Sequence, residues 1–159
     1  MQHSIKVGLS FGLASGVITT LGLMVGLNAG TANKMVVLGG ILTIAIADSM
    51  SDAMGIHMSQ EAENVHSTKE VWISTITTFL AKLVFALTFA VPVLIFDLPT
   101  AIIVSIAWGL ALIIISTYLA AKKQKSGVIG PIFEHLTVAI LVIIATNYVG
   151  SAIAANFSS

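Results

Sequence analysis

The stretch from Met35 to Met58, MVVLGGILTIAIADSMSDAMGIHM, decides the fold because it is long and apolar enough to cross a bilayer. A membrane-spanning helix needs about 20 mostly apolar residues. Two carboxylates, those of Asp48 and Asp52, nevertheless lie inside this stretch. Because an ionised carboxylate at the centre of a membrane helix costs at least about 2.5–3.5 kcal/mol, the pair predicts a functional site within the membrane.

The rest of the chain has the same apolar character. Its 159 residues are 57% hydrophobic and 9% charged, with a mean hydropathy of +1.02, whereas soluble domains carry about 25% charged residues. We therefore predict an all-α membrane protein that forms a single transmembrane domain over residues 1–159. Its five helices are predicted at about 6–28, 35–58, 71–96, 100–121 and 131–155.

The placement of the lysines predicts the orientation of the chain. With the N-terminus inside, the inner side carries Lys6, Lys69, Lys122, Lys123 and Lys125, and the outer side carries only Lys34. The positive-inside rule favours this N-in, C-out arrangement. The first apolar run is longer than the ~7–15 residues of a signal-peptide core, so we interpret it as a retained helix. The expected location is the cell membrane of a prokaryote, with the lipid bilayer as the first partner.

The composition also excludes several classes of function. A net charge of zero argues against a nucleic-acid partner, and the absence of arginine argues against a phosphate clamp. The chain has no cysteine, so any metal ligands must be carboxylate, imidazole, thioether or backbone oxygen. No nucleophile elbow, phosphate loop or HExxH motif occurs. We therefore expect neither an enzyme nor a tightly bound cofactor.

The second helix carries two polar stripes, because successive residues turn by about 100°. Asp48 and Asp52 share one stripe with Gly55, Ser59 and Glu63, and Met50, Met54, His57 and Glu61 lie on nearly the opposite one. One stripe is expected to face the bundle, and the other a partner subunit or a water-filled path. Oxygen, imidazole and thioether donors together suit Fe²⁺ or Mn²⁺ better than Mg²⁺ or Ca²⁺. The predicted metal ligands are Asp48, Met50, Asp52, Met54, His57, Glu61 and Glu63.

Blander interpretations of this second stripe stay open. Methionines on an apolar helix usually serve packing, and His57 alone would more often be an interfacial histidine than a ligand. Glu63 and His66 could belong to a solvated acidic loop instead of a cytoplasmic site that gathers metal.

The two carboxylates raise a question of charge. Acids four residues apart on one helix face repel each other unless a cation lies between them. Lys82 lies at a similar depth in the third helix, so one interpretation is a structural ion pair with Asp48 or Asp52. That pair would leave one acid over, which favours a transported cation or proton. Glu134, near the start of the fifth helix, is a further candidate for proton coupling, with a helix-dipole role as the alternative.

The first helix carries a ladder of small residues at Gly8, Gly12 and Gly16. Small residues at this four-residue spacing let two helix backbones approach closely. We predict that the ladder forms the seam of a homodimer. Packing against a neighbouring helix of the same chain is the alternative.

The first two helices resemble those of the vacuolar iron transporter family of Fe²⁺/Mn²⁺ carriers. The segment from Gly12 to Leu21, GLASGVITTL, is similar to the family's first-helix pattern, and Ala47–Ser51, ADSMS, resembles its second-helix Ser-Met core. The resemblance covers about residues 7–63 by motif and the rest by layout. Ser15 stands at or next to the place of the family's first-helix acid.

The resemblance implies a homodimer with a cation path along the subunit interface and proton-coupled export from the cytoplasm. Met50 matches the family's pore methionine, while Met54 stands where the family has a glutamate. The family's longer metal-binding domain is reduced here to residues 59–70. We therefore expect an antiporter that exports Fe²⁺ or Mn²⁺. The alternatives are a structural or partner-binding membrane module and a proton-coupled carrier of an organic cation.

Overall fold

The computed structural model describes residues 1–123 and 127–157, and these ranges form a bundle of helices. The helices are α1 (Gln2–Thr31), α2 (Lys34–Glu63), α3 (Thr68–Thr88), α4 (Ala90–Ile95), α5 (Leu98–Lys123) and α6 (Ile129–Phe157). Five segments are long and apolar enough to cross a membrane, and α3 and α4 together form the third. The prediction of an all-helical protein with five membrane-spanning segments is confirmed to this extent. Lys125 lies outside the described residues.

The helix ends follow local capping chemistry and differ from the prediction by a few residues. Asn33 begins α2 by accepting hydrogen bonds from the backbone of Met35 and Val36, as an N-cap does. Ala32 and Asn64 adopt the left-handed conformation that ends α1 and α2. The first helix therefore continues to Thr31, past its predicted end at 28, and α2 continues to Glu63, past its predicted end at 58. Glu61 and Glu63 consequently lie in the last turn of α2 rather than in a loop.

The starts of α3 and α5 are capped by side chains as well. Ser67 and Glu70 form a reciprocal capping box at α3. Asp97 accepts a hydrogen bond from the backbone of Thr100 at 3.3 Å. Hydrogen bonds from the side chain and backbone of Thr100 hold the pKa of Asp97 below its usual range.

The third predicted helix, 71–96, is interrupted at Phe89 instead of running straight. Pro92 has no N–H, and its ring clashes with the carbonyl four residues earlier, that of Thr88. The backbone responds with a tighter turn, in which the Phe89 N–H donates to the Ala86 carbonyl. The Trp108 indole N–H donates to the Thr88 hydroxyl at 3.1 Å and so holds α5 against the break.

The glycine ladder of α1 packs against α3 of the same chain. A β-carbon on Gly8 would lie 2.6 Å from the Ser74 carbonyl oxygen, and one on Gly12 would lie 2.7 Å from the Thr78 carbonyl oxygen. Gly16 approaches the backbone of Lys82 in the same way. The prediction of a dimer seam at Gly8, Gly12 and Gly16 is therefore wrong, because α3 already occupies that face.

Two contacts define the two ends of the bundle. The amino group of Met1 lies 3.2 Å from a carboxylate oxygen of Glu70, so the start of α1 meets the start of α3 at what we term the Met1 side. Lys34 donates to the Phe96 carbonyl at 2.8 Å, which joins the α1–α2 and α4–α5 turns at the opposite end, the Lys34 side.

The interior of the bundle differs between these two ends. On the Lys34 side the buried core is mainly apolar and also contains the hydroxyls of Thr20 and Ser105. Its apolar members include Val17, Leu21, Met24, Val37, Ile41, Phe89 and Val93. On the Met1 side the buried residues of α1–α3 include Ser4, Gln60, Ser74, Thr75 and Thr78. Lys82 lies where the two halves meet, near the middle of the third membrane-spanning segment.

Candidate functional site

Lys82 is the centre of a charged cluster inside the bundle. Its side chain is only 1% exposed, which is rare for a lysine unless it is paired. The ammonium nitrogen lies 2.5 Å from Oδ2 of Asp48 and 2.5 Å from Oδ2 of Asp52. The predicted ion pair is confirmed, and it involves both acids rather than one.

Ser15 brings the first helix into the cluster. Its hydroxyl donates to Oδ2 of Asp52 at 2.6 Å and accepts from Nζ of Lys82 at 2.9 Å. Gly16, the next residue, lies against the stem of Lys82, so a residue without a side chain leaves room for the lysine. From the sequence, Ser15 was identified only by its position in the family pattern, and its bridging role was missed.

The cluster is unbalanced in charge. Two carboxylates surround one ammonium group, so with both acids ionised the cluster carries one surplus negative charge. The two acids also differ in how they meet the lysine. Asp52 accepts a hydrogen bond from Lys82, whereas Oδ2 of Asp48 is close to the ammonium group but has no aligned hydrogen bond among the described residues.

Both carboxylates reach the surface of the bundle from this buried contact. Their side chains are 27% exposed for Asp48 and 21% exposed for Asp52. Asp48 lines a groove of about 670 Å³ between α1 and α2, together with Thr43, Ser51 and apolar residues such as Leu23 and Ile44. The groove runs along α2 from Asp48 toward the Lys34 side.

The methionine stripe of α2 does not join the carboxylates. The side chains of Met50 and Met54 are 61% and 53% exposed on the outer surface of α2. A thioether carries no charge and can face lipid, whereas the carboxylates turn inward to the lysine. The predicted common donor set of Asp48, Asp52, Met50 and Met54 is therefore not assembled within one chain.

His57 is likewise used elsewhere. Its Nδ1 lies 3.0 Å from the hydroxyl of Thr75, and its ring packs edge-on against Trp72 with 4.7 Å between the centroids. These contacts attach α2 to α3. The interfacial role that we considered for His57 fits this geometry.

The remaining predicted residues lie away from Lys82. Glu61 and Glu63 are exposed at the Met1 side, where Glu63 lies 3.2 Å from Nε2 of His66. Glu134 is exposed on α6, a helix that contributes nothing to the Lys82 cluster. Across residues 1–123 and 127–157, no three His, Asp or Glu side chains converge as a metal site would require.

The buried polar residues of the Met1-side half that were not identified from the sequence include Ser4, Gln60, Ser74, Thr75 and Thr78. For Ser74 and Thr78 the sequence did contain a pattern that could have identified them, because both lie on the same helix face as Lys82. Ser74, Thr78 and Lys82 follow Glu70 at a constant spacing of four residues, which places them along one side of a helix. Gln60 carried no comparable signal.

No protein-family model matches this chain, and no match is found among the curated proteins or the solved structures. The resemblance to iron transporters therefore depends on the sequence motifs alone. Any function must be argued from the Lys82 cluster and its surroundings.

Proposed function

We propose that this protein is a membrane carrier of a divalent transition-metal cation, Fe²⁺ or Mn²⁺, that binds at Asp48 and Asp52. The observation that carries the proposal is the pairing of one buried lysine, Lys82, with two carboxylates. A structural lock between helices needs one acid for each lysine. A second acid inside the membrane is costly, and a role in binding a cation gives a reason for keeping it.

The available donors favour a cation that accepts oxygen ligands. Asp48 and Asp52 supply carboxylate oxygens, and Ser15 supplies a hydroxyl within 2.6 Å of Asp52. Oxygen donors suit Mn²⁺ well, whereas the softer groups that would favour Fe²⁺ lie on the outer surface of α2. We therefore expect Mn²⁺ to be transported at least as well as Fe²⁺.

Charge balance supports coupling to protons. A divalent cation would add two positive charges beside the ammonium group of Lys82. If the surplus carboxylate holds a proton in the empty carrier, cation binding releases that proton and limits the excess positive charge. With the lysine-rich Met1 side in the cytoplasm, the carrier would export its cargo in exchange for protons.

The groove beside Asp48 supports a cation path at the interface between the two subunits of a homodimer. Exposed small residues follow α2 at four-residue spacing: Gly39, Thr43, Ala47, Ser51 and Gly55. β-carbons on Gly39 and Gly55 would meet nothing within 4 Å, so this row is free to accept a second helix, as small residues do in membranes. The proposed seam therefore lies on α2, and a second copy would cover the groove and bring Met50 near the path.

Cation flux into proteoliposomes tests the proposal directly. We expect the parent protein to transport Mn²⁺ and Asp52→Asn to lower the flux at least about tenfold, because the charge that holds the cation is lost. Asp97→Asn is the matched control, since Asp97 lies in the turn at the Lys34 side. Parent flux no greater than that of empty liposomes, or equal flux in the parent and Asp52→Asn, would overturn the proposal.

The apolar lining of the groove favours one alternative cargo. A volume of about 670 Å³ is typical of pockets for small organic molecules, and Asp48 would pair with a positive charge. Flux of tetraphenylphosphonium, a lipophilic monovalent cation, in the same liposomes distinguishes this alternative. Transport of that cation without Mn²⁺ transport would indicate an organic-cation carrier, and transport of neither would indicate a structural membrane module.

A further inference from the structure

The ammonium group of Lys82 lies where a cation bound at both Asp48 and Asp52 would have to lie. Its nitrogen is 2.5 Å from Oδ2 of Asp48 and 2.5 Å from Oδ2 of Asp52. A divalent cation held by the same two oxygens would lie about 2.0–2.6 Å from each of them. It would thus lie at most about 5 Å from the ammonium nitrogen, because both would be bound to the same oxygens.

A divalent cation this close to the ammonium group would be strongly repelled. Like charges at such a distance repel each other even where the protein and water screen them in part. Lys82 is only 1% exposed, so little water screens its charge. The ammonium group therefore has to move away from the carboxylates before a divalent cation binds to both of them.

The lysine and the groove reach the carboxylates from different sides. The ammonium group of Lys82 is enclosed by the bundle, where the Ser15 hydroxyl of α1 lies 2.9 Å from Nζ. Asp48 lines the groove between α1 and α2, and its side chain is 27% exposed. A cation that enters from the groove therefore meets the carboxylates from outside, while the lysine contacts them from inside the bundle.

The lysine side chain is held at its stem rather than at its head. A β-carbon on Gly16 would lie 3.2 Å from Cγ of Lys82, so α1 packs closely against the start of the side chain. A flexible four-carbon stem lets the ammonium group turn while the Ser15 hydroxyl continues to accept its hydrogen bond. Oγ1 of Thr78, one helical turn before Lys82, is buried without a hydrogen-bond partner among the described residues and offers a second acceptor.

We propose that Lys82 is a built-in competitor of the cargo, whose ammonium group fills the cation site when no cargo is bound and withdraws when a divalent cation binds both carboxylates. This inference rests on the proposed cation site at Asp48 and Asp52 and describes how that site is regulated. In the empty carrier the lysine offsets one of two negative charges inside the membrane, where an unpaired charge is costly. The same positive charge limits the affinity for the cargo, since the cargo has to displace it.

Equilibrium binding of Mn²⁺ to the purified protein in detergent tests this competition, with free Mn²⁺ counted by electron paramagnetic resonance. Lys82→Gln removes the positive charge and keeps a hydrogen-bond donor. We expect it to bind Mn²⁺ at least about tenfold more tightly than the parent does, because the internal competitor is gone. Lys34→Gln is the matched control and should bind as the parent does, since Lys34 donates to the Phe96 carbonyl at the other end of the bundle.

Lys82→Arg distinguishes the effect of charge from that of shape. It keeps the positive charge and should bind Mn²⁺ no more tightly than the parent. An equal gain in Lys82→Arg and Lys82→Gln would overturn the competition. If the parent binds Mn²⁺ and Lys82→Gln binds it no more tightly, the competition is also overturned, while the proposed carrier stands.

A second measurement covers the loss of stability that a neutral residue at position 82 brings. Unfolding in micelles with and without Mn²⁺ should show that the ion stabilises Lys82→Gln more than the parent, because only the folded protein holds the site. Equal stabilisation of the two proteins would contradict the competition. No binding of Mn²⁺ to either the parent or Lys82→Gln would overturn the cation site itself, and the competition with it.

Discussion

The two halves of the bundle use the same three helices and bury very different interiors. Toward the Lys34 side, α1–α3 enclose a mainly apolar core that includes Leu21 and Val37 and the buried hydroxyl of Thr20. Toward the Met1 side they enclose hydroxyl and amide groups, and Lys82 lies at the boundary. Close helix packing is common to both halves, because Gly12 allows α1 to approach α3 and Gly150 allows α6 to approach α1.

This difference distinguishes the packing contacts that stabilise the bundle from the polar and charged groups that the bundle buries. Van der Waals packing around small residues is one of the main forces that assemble membrane helices. The polar interior adds nothing that such packing requires. Each prediction below contrasts a change in one half with a matched change elsewhere.

The largest effect is expected from Lys82→Met. Removing the ammonium group leaves two carboxylates facing each other without a counter-charge, and breaking a buried ion pair costs about 3–5 kcal/mol. Partial exposure of the acids places the expected loss near the lower end of that range. Unfolding in mixed micelles measures it, with Lys34→Met as the control, because Lys34 makes an exposed contact with the Phe96 carbonyl.

A neutral replacement of the whole cluster sharpens this result. The triple variant Lys82→Met, Asp48→Asn, Asp52→Asn should recover most of the lost stability, since no uncompensated charge remains. If Lys82→Met alone were as stable as the parent, the cluster would not be the charged centre that separates the two halves.

The charged cluster of Asp48, Asp52 and Lys82 could be predicted from the sequence because a charged side chain buried in the membrane needs a partner of opposite charge. Asp48 and Asp52 lie at the depth of Lys82, and in the bilayer such groups pair with one another. Nothing comparable fixes a thioether, so the helical spacing placed Met50 and Met54 on the stripe opposite the carboxylates and did not show whether they bind a cation. The unpaired hydroxyl of Thr78 was equally unpredictable, because a helical threonine usually bonds to its own backbone.

The five helices could be predicted from the sequence, but which helices pack against each other could not. Hydropathy identifies a span because a helix in lipid satisfies its own backbone hydrogen bonds, whereas the ends of the helices depend on local caps such as Asn33. A glycine ladder reports that some helix approaches, and does not report whether it belongs to the same chain. The ladder at Gly8 and Gly12 was for this reason assigned to a dimer seam, whereas α3 covers it.

A smaller effect is expected where the glycines bring α1 and α3 together. In Gly12→Ala the new β-carbon would lie 2.7 Å from the Thr78 carbonyl oxygen, and this backbone atom cannot move aside freely. Overpacking of this kind costs about 1–3 kcal/mol, which unfolding in micelles measures. Gly55→Ala is the matched control, because its β-carbon meets nothing within 4 Å and should leave the stability unchanged or slightly higher.

The same two positions distinguish the fold from the proposed dimer. Gly55→Leu should leave the single-chain fold intact and shift the protein toward monomer in light scattering, because Gly55 belongs to the exposed row on α2. Dissociation caused by Gly12→Ala without loss of stability would return the seam to α1 and contradict the observed packing.

The smallest effect is a matched exchange of hydroxyl and methyl groups between the two halves. Thr78→Val removes a hydroxyl from the Met1-side half, and Val17→Thr adds one to the Lys34-side half, where Val17 is 0% exposed. We expect Thr78→Val to change stability by less than about 0.5 kcal/mol, since Oγ1 of Thr78 has no hydrogen-bond partner to lose among the described residues. Val17→Thr should cost about 1 kcal/mol, because a hydroxyl in a dry core has only the backbone to bond with. Unfolding of both variants in the same micelles measures the difference. A neutral Val17→Thr would mean that the new hydroxyl finds a hydrogen-bond partner there, and a costly Thr78→Val would mean that Thr78 bonds to the protein. Either outcome would contradict the expected difference between the two positions.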